Sequence, residues 1–122
     1  MEHCSEEIDP FALDLEALKE RCLGNLALVE RVLAKFTKQL DTDLAELERA
    51  IQTRDATQAA QVAHRIKGTA GSVAARNLYE NAFRAEQRAL DMQLAELPRD
   101  LERMRCDRTQ LLKTIEGMKQ RA

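Results

Sequence analysis

The chain has 122 residues and few of the residue types that build turns and sheets: two prolines, four glycines, four aromatic residues and no tryptophan. β-Sandwiches and β-barrels need many turns and many β-branched or aromatic residues, so this scarcity argues against both architectures. Hydrophobic residues nevertheless make up 44% of the sequence, and a chain of this length can bury one core. The composition therefore predicts one all-α domain over residues 1–122, with residues 1–10 frayed.

Other features are also missing, and each absence excludes a class of protein. No apolar run approaches the roughly 18 residues of a membrane span, and the first ten residues are acidic, unlike a signal peptide. The formal net charge of −2 gives no excess of basic residues for nucleic-acid binding. Cys4, Cys22 and Cys106 form no CxxC pair, and their number is odd. We therefore expect thiols in a reducing cytoplasm rather than disulfides or a zinc site.

Between Pro10 and Pro98, apolar residues recur every three or four positions, which is the spacing of amphipathic helices. Gly24 is a candidate helix stop, and Asn25 and Asp55 are candidate N-caps for the runs that follow them. Four long helices joined by short breaks pack most simply as an antiparallel four-helix bundle, with a short first helix capping one end. The predicted helices cover residues 13–23, 26–51, 56–73, 77–92 and 97–118.

The last predicted helix repeats apolar residues at steps of four and three, but Arg108 interrupts this seam. A guanidinium is costly to bury without a partner, so we expect Arg108 at an end or rim of the core.

The candidate chemistry lies in one stretch, residues 62–75, with the sequence VAHRIKGTAGSVAA. On a helix, His64 lies at the edge of the buried face, and Lys67, Gly68 and Gly71 follow it on the same stripe. A glycine inside a helix costs about 1 kcal/mol relative to alanine. Two glycines beside one histidine therefore indicate that space is needed around the ring.

The same stretch lacks carboxylates. Between Asp55 and Glu80 there is no Asp or Glu in 24 residues, where the average of the chain predicts about four. The charged residues in this interval are Arg65, Lys67 and Arg76, all of them cationic. This pattern favours an anion site over an intrinsic Mg²⁺ site, which needs carboxylates. We expect the imidazole to be exposed to water and free of bulky and acidic neighbours.

Several motifs together resemble the histidine-containing phosphotransfer (HPt) domain. The likeness spans about residues 11–90 and leaves out the last helix, whose pattern is generic. The matching segments and positions are Leu13–Leu18, Gly24, Phe36, Ala63–Gly68, Thr69–Ser72, Leu78, Ala82 and Glu86.

The resemblance implies a phosphorelay intermediate, which is a phosphocarrier rather than an enzyme. His64 would accept the phosphoryl group, Lys67 would steady the phosphate, and Gly68 would leave room around the ring. The resemblance further implies exchange with the aspartate of a response-regulator receiver domain, or contact with a hybrid sensor histidine kinase. The Mg²⁺ and the acidic pocket would then come from the receiver, and this chain would need no cofactor or metal of its own. We expect a cytoplasmic monomer that binds neither nucleic acid nor membrane.

The possible docking residues for a receiver are Gln61, Arg65, Gly71 and Ser72. Two positions depart from the family pattern: Ala74 stands where glycine is common, and Ala85 replaces a larger aliphatic residue. Because neither touches the carrier, we expect altered packing or partner fit rather than lost activity.

Two other classes of function compete with this interpretation. A sensor kinase needs a nucleotide-binding lobe, and the chain has neither a Gly-rich loop nor the length for one. An adaptor or regulator on the same bundle, with His64 unphosphorylated, remains the alternative. Acid-labile, alkali-stable phosphate on the protein would distinguish a phosphocarrier from an adaptor.

Overall fold

The computed structural model describes residues 9–121, so of residues 1–10, which were predicted to be frayed, only Asp9 and Pro10 lie in the described part. Asp9 is anchored, because its backbone N–H donates to Oε1 of Gln110 at 2.9 Å and its carboxylate accepts from Asn77. All regular structure in this part is helical, as predicted. The helices are α1 (Leu15–Arg21), α2 (Leu26–Gln52), α3 (Ala56–Ser72), α4 (Arg76–Leu90), a 3₁₀ turn (Leu94–Glu96) and α5 (Leu97–Arg121).

Short polar side chains start the first three helices. Asp14, Asn25 and Asp55 each accept a hydrogen bond from the backbone N–H three residues later, at 3.0–3.1 Å. These bonds satisfy N–H groups that have no partner within the helix. The N-caps predicted at Asn25 and Asp55 are therefore confirmed. The stop predicted at Gly24 is one residue late, because Leu23 already adopts the left-handed conformation that ends α1.

The four long helices form a bundle in which α3 and α5 each pack against both α2 and α4. Consequently α3 and α5 occupy opposite corners, and α3 has one flank on α2 and the other on α4. Arg108 lies at the rim, half-buried, with its guanidinium paired to Asp41, as predicted. The side chains that are fully buried in the core include Val29, Leu33, Leu47, Val62, Ile66, Leu78, Met104 and Leu111.

Small residues let α3 and α4 approach each other closely. Most of the buried positions on their facing sides are alanines, which leave little side-chain volume between the two backbones. This close approach lets a side chain of α4 reach the exposed edge of α3. The alanines concerned are Ala59, Ala63 and Ala70 on α3 and Ala82, Ala85 and Ala89 on α4.

The short helix α1 caps the end of the bundle where α3 turns into α4. The backbone N–H of Asp14 donates to the carbonyl of Ala74 at 2.8 Å. The guanidinium of Arg21 donates to the carbonyls of Gly71 and Ser72, also at 2.8 Å, and so ties α1 to the C-terminal end of α3. The predicted capping helix is therefore confirmed.

The cysteines differ from the expectation of three thiols. Cys22 is a buried free thiol, as expected, whereas Cys106 is disulfide-bonded. Cys4 lies outside the described residues.

No helix within residues 9–121 is both long enough and apolar enough to cross a membrane.

Candidate functional site

His64 lies near the middle of α3 and points away from the core. Its side chain is 68% exposed, while its chain neighbour Ala63 is fully buried. This difference follows from the 100° rotation between successive residues on a helix. The expectation of a water-exposed imidazole is confirmed.

Glu86 on α4 binds the imidazole from the side. Its Oε2 lies 2.7 Å from Nδ1 of His64, and its Oε1 accepts from Nζ of Lys67 at 2.6 Å. The Glu86 side chain is only 12% exposed. Burial acts to raise the pKa of Glu86, but the hydrogen bonds from Lys67 and His64 outweigh it and leave the pKa below its ordinary value. Glu86 is therefore ionised at neutral pH.

An ionised carboxylate can only accept hydrogen bonds, so it determines where the imidazole carries its proton. In the neutral ring, the hydrogen must lie on Nδ1, where it is donated to Glu86. Nε2 then holds the lone pair. Within residues 9–121, no hydrogen bond engages Nε2 of His64. The site thus presents a nucleophilic nitrogen to solvent and keeps the other nitrogen occupied.

The expectation of no acidic neighbour is therefore wrong. The stretch without carboxylates is real, but Glu86 comes from the next helix and is brought to His64 by the close α3–α4 contact. Glu86 belongs to the segments that resemble the HPt domain, so the sequence carried a signal for the residue but not for its contact.

Lys67 is held one turn after His64 and is half-buried. Its ammonium pairs with Glu86 and lies 5.3 Å from the centroid of the Phe83 ring. Such a distance permits a cation–π interaction. Lys67 therefore neutralises Glu86 in this state and is not an unpaired cation.

The glycines differ in their surroundings. A Cβ atom built on Gly68 would meet nothing within 4 Å, so the surface above it is open. A Cβ on Gly71 would lie 3.5 Å from the Tyr79 ring, an ordinary van der Waals contact. The hydroxyl of Ser72 donates to the carbonyl of Gly68 at 3.1 Å, within its own helix. Gly68 thus provides clearance next to the imidazole, whereas Gly71 lies beneath an aromatic ring.

The other two candidate docking residues lie at the flank that faces α2. Gln61 is exposed, one turn before His64. The guanidinium of Arg65 binds Glu46 at 2.6 Å and Asp43 at 2.9 Å, and these bonds raise the pKa of Arg65. Because Asp43 is fully buried, Arg65 ties α2 to α3. Its guanidinium is already engaged and is less suited to bind a partner than the sequence suggested.

The close packing of the helices does not assemble a metal centre in the described part of the chain. Among these residues, no three His, Cys, Asp or Glu side chains lie close enough to share one metal ion.

Comparison with known proteins identifies the family of this chain. The sequence matches the family model described as "Hpt domain" over residues 31–120. The fold is similar to the crystal structure of histidine-containing phosphotransfer protein B (HptB) from Pseudomonas aeruginosa PAO1, with a TM-score of 0.83 and 22% sequence identity. That similarity covers 91% of this chain and 96% of HptB. No curated protein sequence matches the chain. Since the family model covers well over half of the residues, this chain belongs to the Hpt domain family.

Proposed function

We propose that His64 carries a phosphoryl group on Nε2 and exchanges it with the aspartate of a response-regulator receiver domain. The Hpt family acts in histidine phosphotransfer within phosphorelays, and its members are phosphocarriers. The observation that carries the proposal is the Nδ1–Glu86 hydrogen bond, which leaves the exposed Nε2 as the nucleophile. The exchange with a receiver is inferred from the family, and the roles of the individual residues are inferred from this geometry.

The phosphoryl transfer needs no separate general acid or general base. The lone pair of Nε2 attacks the phosphorus of an aspartyl phosphate, an N–P bond forms, and the O–P bond breaks. The aspartate leaves as a carboxylate with the electron pair of that bond. The ring then holds Nδ1–H and a phosphorylated Nε2, and Glu86 stabilises the positive charge on it. The reverse reaction follows the same path.

Lys67 and Gly68 act on the phosphoryl group itself. Phosphoryl transfer depends mostly on positioning and charge neutralisation, and Lys67 lies one turn from His64 on a flexible stem. On phosphorylation, its ammonium can move from Glu86 to a phosphate oxygen. The open surface above Gly68 admits both the phosphate and the wall of the partner's pocket.

The receiver supplies the metal ion and the acidic pocket for the transfer. In this proposal the partner binds Mg²⁺ in its own acidic pocket, and this chain works in the cytoplasm as a monomer. A hybrid sensor kinase can present the same kind of receiver. Lys67 is the cation that this chain itself contributes at the transfer site.

Transfer from a receiver tests the assignment directly. Receiver domains whose aspartate has been phosphorylated by acetyl phosphate and Mg²⁺ should transfer labelled phosphate to the wild-type chain. His64→Gln should remain unlabelled, whereas His3→Gln removes the other histidine and should be labelled normally. Equal labelling of His64→Gln and wild type would contradict the proposal.

The adaptor alternative makes a different prediction for the same samples. An adaptor would bind a receiver and acquire no phosphate that is labile in acid and stable in alkali. Binding of a receiver without such phosphate, under conditions where the receiver itself is phosphorylated, would favour the adaptor.

A further inference from the structure

Phe83 on α4 contacts the lysine of the candidate site. The centroid of its ring lies 5.3 Å from Nζ of Lys67, within the range of a cation–π interaction. The same ammonium donates to Oε1 of Glu86 at 2.6 Å. Phe83 and Glu86 are three residues apart and so share one face of α4. That face therefore supplies both the carboxylate and the aromatic ring that contact Lys67.

The two contacts reach the ammonium from different levels of the bundle. Glu86 is level with His64, whose Nδ1 it binds, whereas Phe83 is one helical turn, about 5 Å, further along α4. Lys67 likewise follows His64 by about one turn on α3. The ammonium is thus held by a carboxylate nearer to the carrier and by a ring at the level of its own backbone.

Without the ring, the Lys67 side chain would have more room to turn away from His64. A lysine stem is flexible, with rotatable bonds along its whole length. One residue further along α3, Gly68 has no side chain, and a Cβ built there would meet nothing within 4 Å. The Lys67 side chain is nevertheless only 19% exposed. The ring of Phe83 is thus a contact that keeps the stem on the side of the carrier.

The attraction of the ring for the ammonium differs from that of Glu86. A π face attracts a cation without accepting a hydrogen bond in one fixed direction, and it carries no formal charge. The ring can therefore keep its contact when the ammonium turns from Glu86 to a phosphate oxygen on His64. It also adds no negative charge that would repel the phosphoryl group.

We infer that Phe83 is a positioning residue, which keeps the ammonium of Lys67 within reach of the phosphoryl group on His64 and so lengthens the life of the phosphohistidine. This inference rests on the proposed function and adds to it a residue that acts through Lys67.

The half-life of the phosphohistidine tests this inference without a partner. The chain is labelled by phosphoramidate or by a phosphorylated receiver, the donor is removed, and the loss of phosphate is followed. Phe83→Leu keeps an apolar side chain but removes the π face, and should shorten the half-life about two- to fivefold. Phe83→Tyr retains the π face and should stay close to wild type. Tyr79→Leu is the matched control, because it removes an exposed ring that lies over Gly71 on the same helix.

A second pair of variants shows whether Phe83 acts through Lys67. In a Lys67→Met background there is no ammonium to position, so Phe83→Leu should not change the half-life further. A merely structural role of Phe83 would shorten the half-life by the same factor in both backgrounds.

The outcomes separate this inference from the proposed function. A wild-type chain that neither phosphoramidate nor a phosphorylated receiver labels on His64 would overturn the proposed function. A labelled chain in which Phe83→Leu has the half-life of wild type or of Tyr79→Leu would overturn the positioning role alone. The same loss with and without Lys67, or an equal loss in Phe83→Tyr and Phe83→Leu, would also overturn it.

Discussion

Nδ1 of His64 and Oε2 of Glu86 lie 2.7 Å apart across the contact between α3 and α4. The carboxylate is mostly buried and also pairs with Lys67, so it can neither rotate freely nor accept a proton easily at neutral pH. A residue of one helix thus determines which nitrogen of the carrier on the other helix is nucleophilic. The partner needs no contact with Nδ1 to obtain the reactive tautomer.

Removal of this acceptor should slow the transfer. Glu86→Ala should reduce the rate from a phosphorylated receiver about tenfold, because one charge-assisted hydrogen bond is worth about 1.5 kcal/mol. Glu86→Gln is the matched control, since its amide oxygen can still accept from Nδ1. Ring ¹⁵N chemical shifts should show the Nδ1–H tautomer in wild type and more Nε2–H in Glu86→Ala. An unchanged rate with an unchanged tautomer would show that Glu86 does not orient His64.

Lys67 should matter most after phosphorylation. Lys67→Met retains the apolar stem beside Phe83 but leaves the Glu86 carboxylate uncompensated near the phosphate. We expect the half-life of the phosphohistidine to fall about tenfold, with unchanged helical circular dichroism. Lys35→Met, at an exposed position on α2, removes the same charge away from the site and should have no effect on the half-life. Equal phosphohistidine half-lives in Lys67→Met and Lys35→Met would show that Lys67 contributes to the stability of the fold and does not stabilise the phosphoryl group.

The helices and the carrier could be predicted from the sequence because both depend on local patterns. Periodic apolar residues and the N-caps Asn25 and Asp55 set the helix positions, and the glycines mark the space beside His64. The Glu86 contact could not be predicted, because it depends on how closely α4 packs against α3. The engagement of Arg65 depends in the same way on Asp43, which is a buried acid on a different helix. Contacts between helices, rather than the helices themselves, were the part that the sequence did not show.

Ala74 stands where the resemblance to the HPt domain leads us to expect glycine, and its backbone conformation gives this difference a physical meaning. Its φ angle is +62°, and the backbone N–H groups of Ala74 and Ala75 bond back to Gly71 and Ala70 in a Schellman motif. An alanine in this left-handed conformation costs about 1 kcal/mol more than a glycine. Ala74→Gly should therefore raise the free energy of unfolding by up to about 1 kcal/mol. The measurement is urea unfolding.

Ala34→Gly is the control for Ala74→Gly, and we expect it to change the free energy of unfolding in the opposite direction. Ala34 lies at an exposed position inside α2, where glycine should lower the free energy of unfolding by about 1 kcal/mol. Destabilisation by both substitutions would mean that the buried Cβ of Ala74 contributes more than the backbone strain costs.

Asp107 should make the stability of the fold depend on pH. Burial raises the pKa of Asp107 to about 6, opposed by a hydrogen bond from Asn81 and reinforced by the nearby Asp9. The folded state therefore holds a proton that the unfolded state releases near pH 4, so stability decreases as the pH rises from about 4 to above 6. Asp107→Asn keeps the Asn81 contact and removes this titration. Relative to this variant, wild type should lose up to about 3 kcal/mol of unfolding free energy across that range.

Asp91→Asn is the control, because Asp91 lies at an exposed position just after α4 and its replacement should leave the dependence of stability on pH as in wild type. Parallel pH profiles for wild type and Asp107→Asn would show that Asp107 titrates as an ordinary carboxylate.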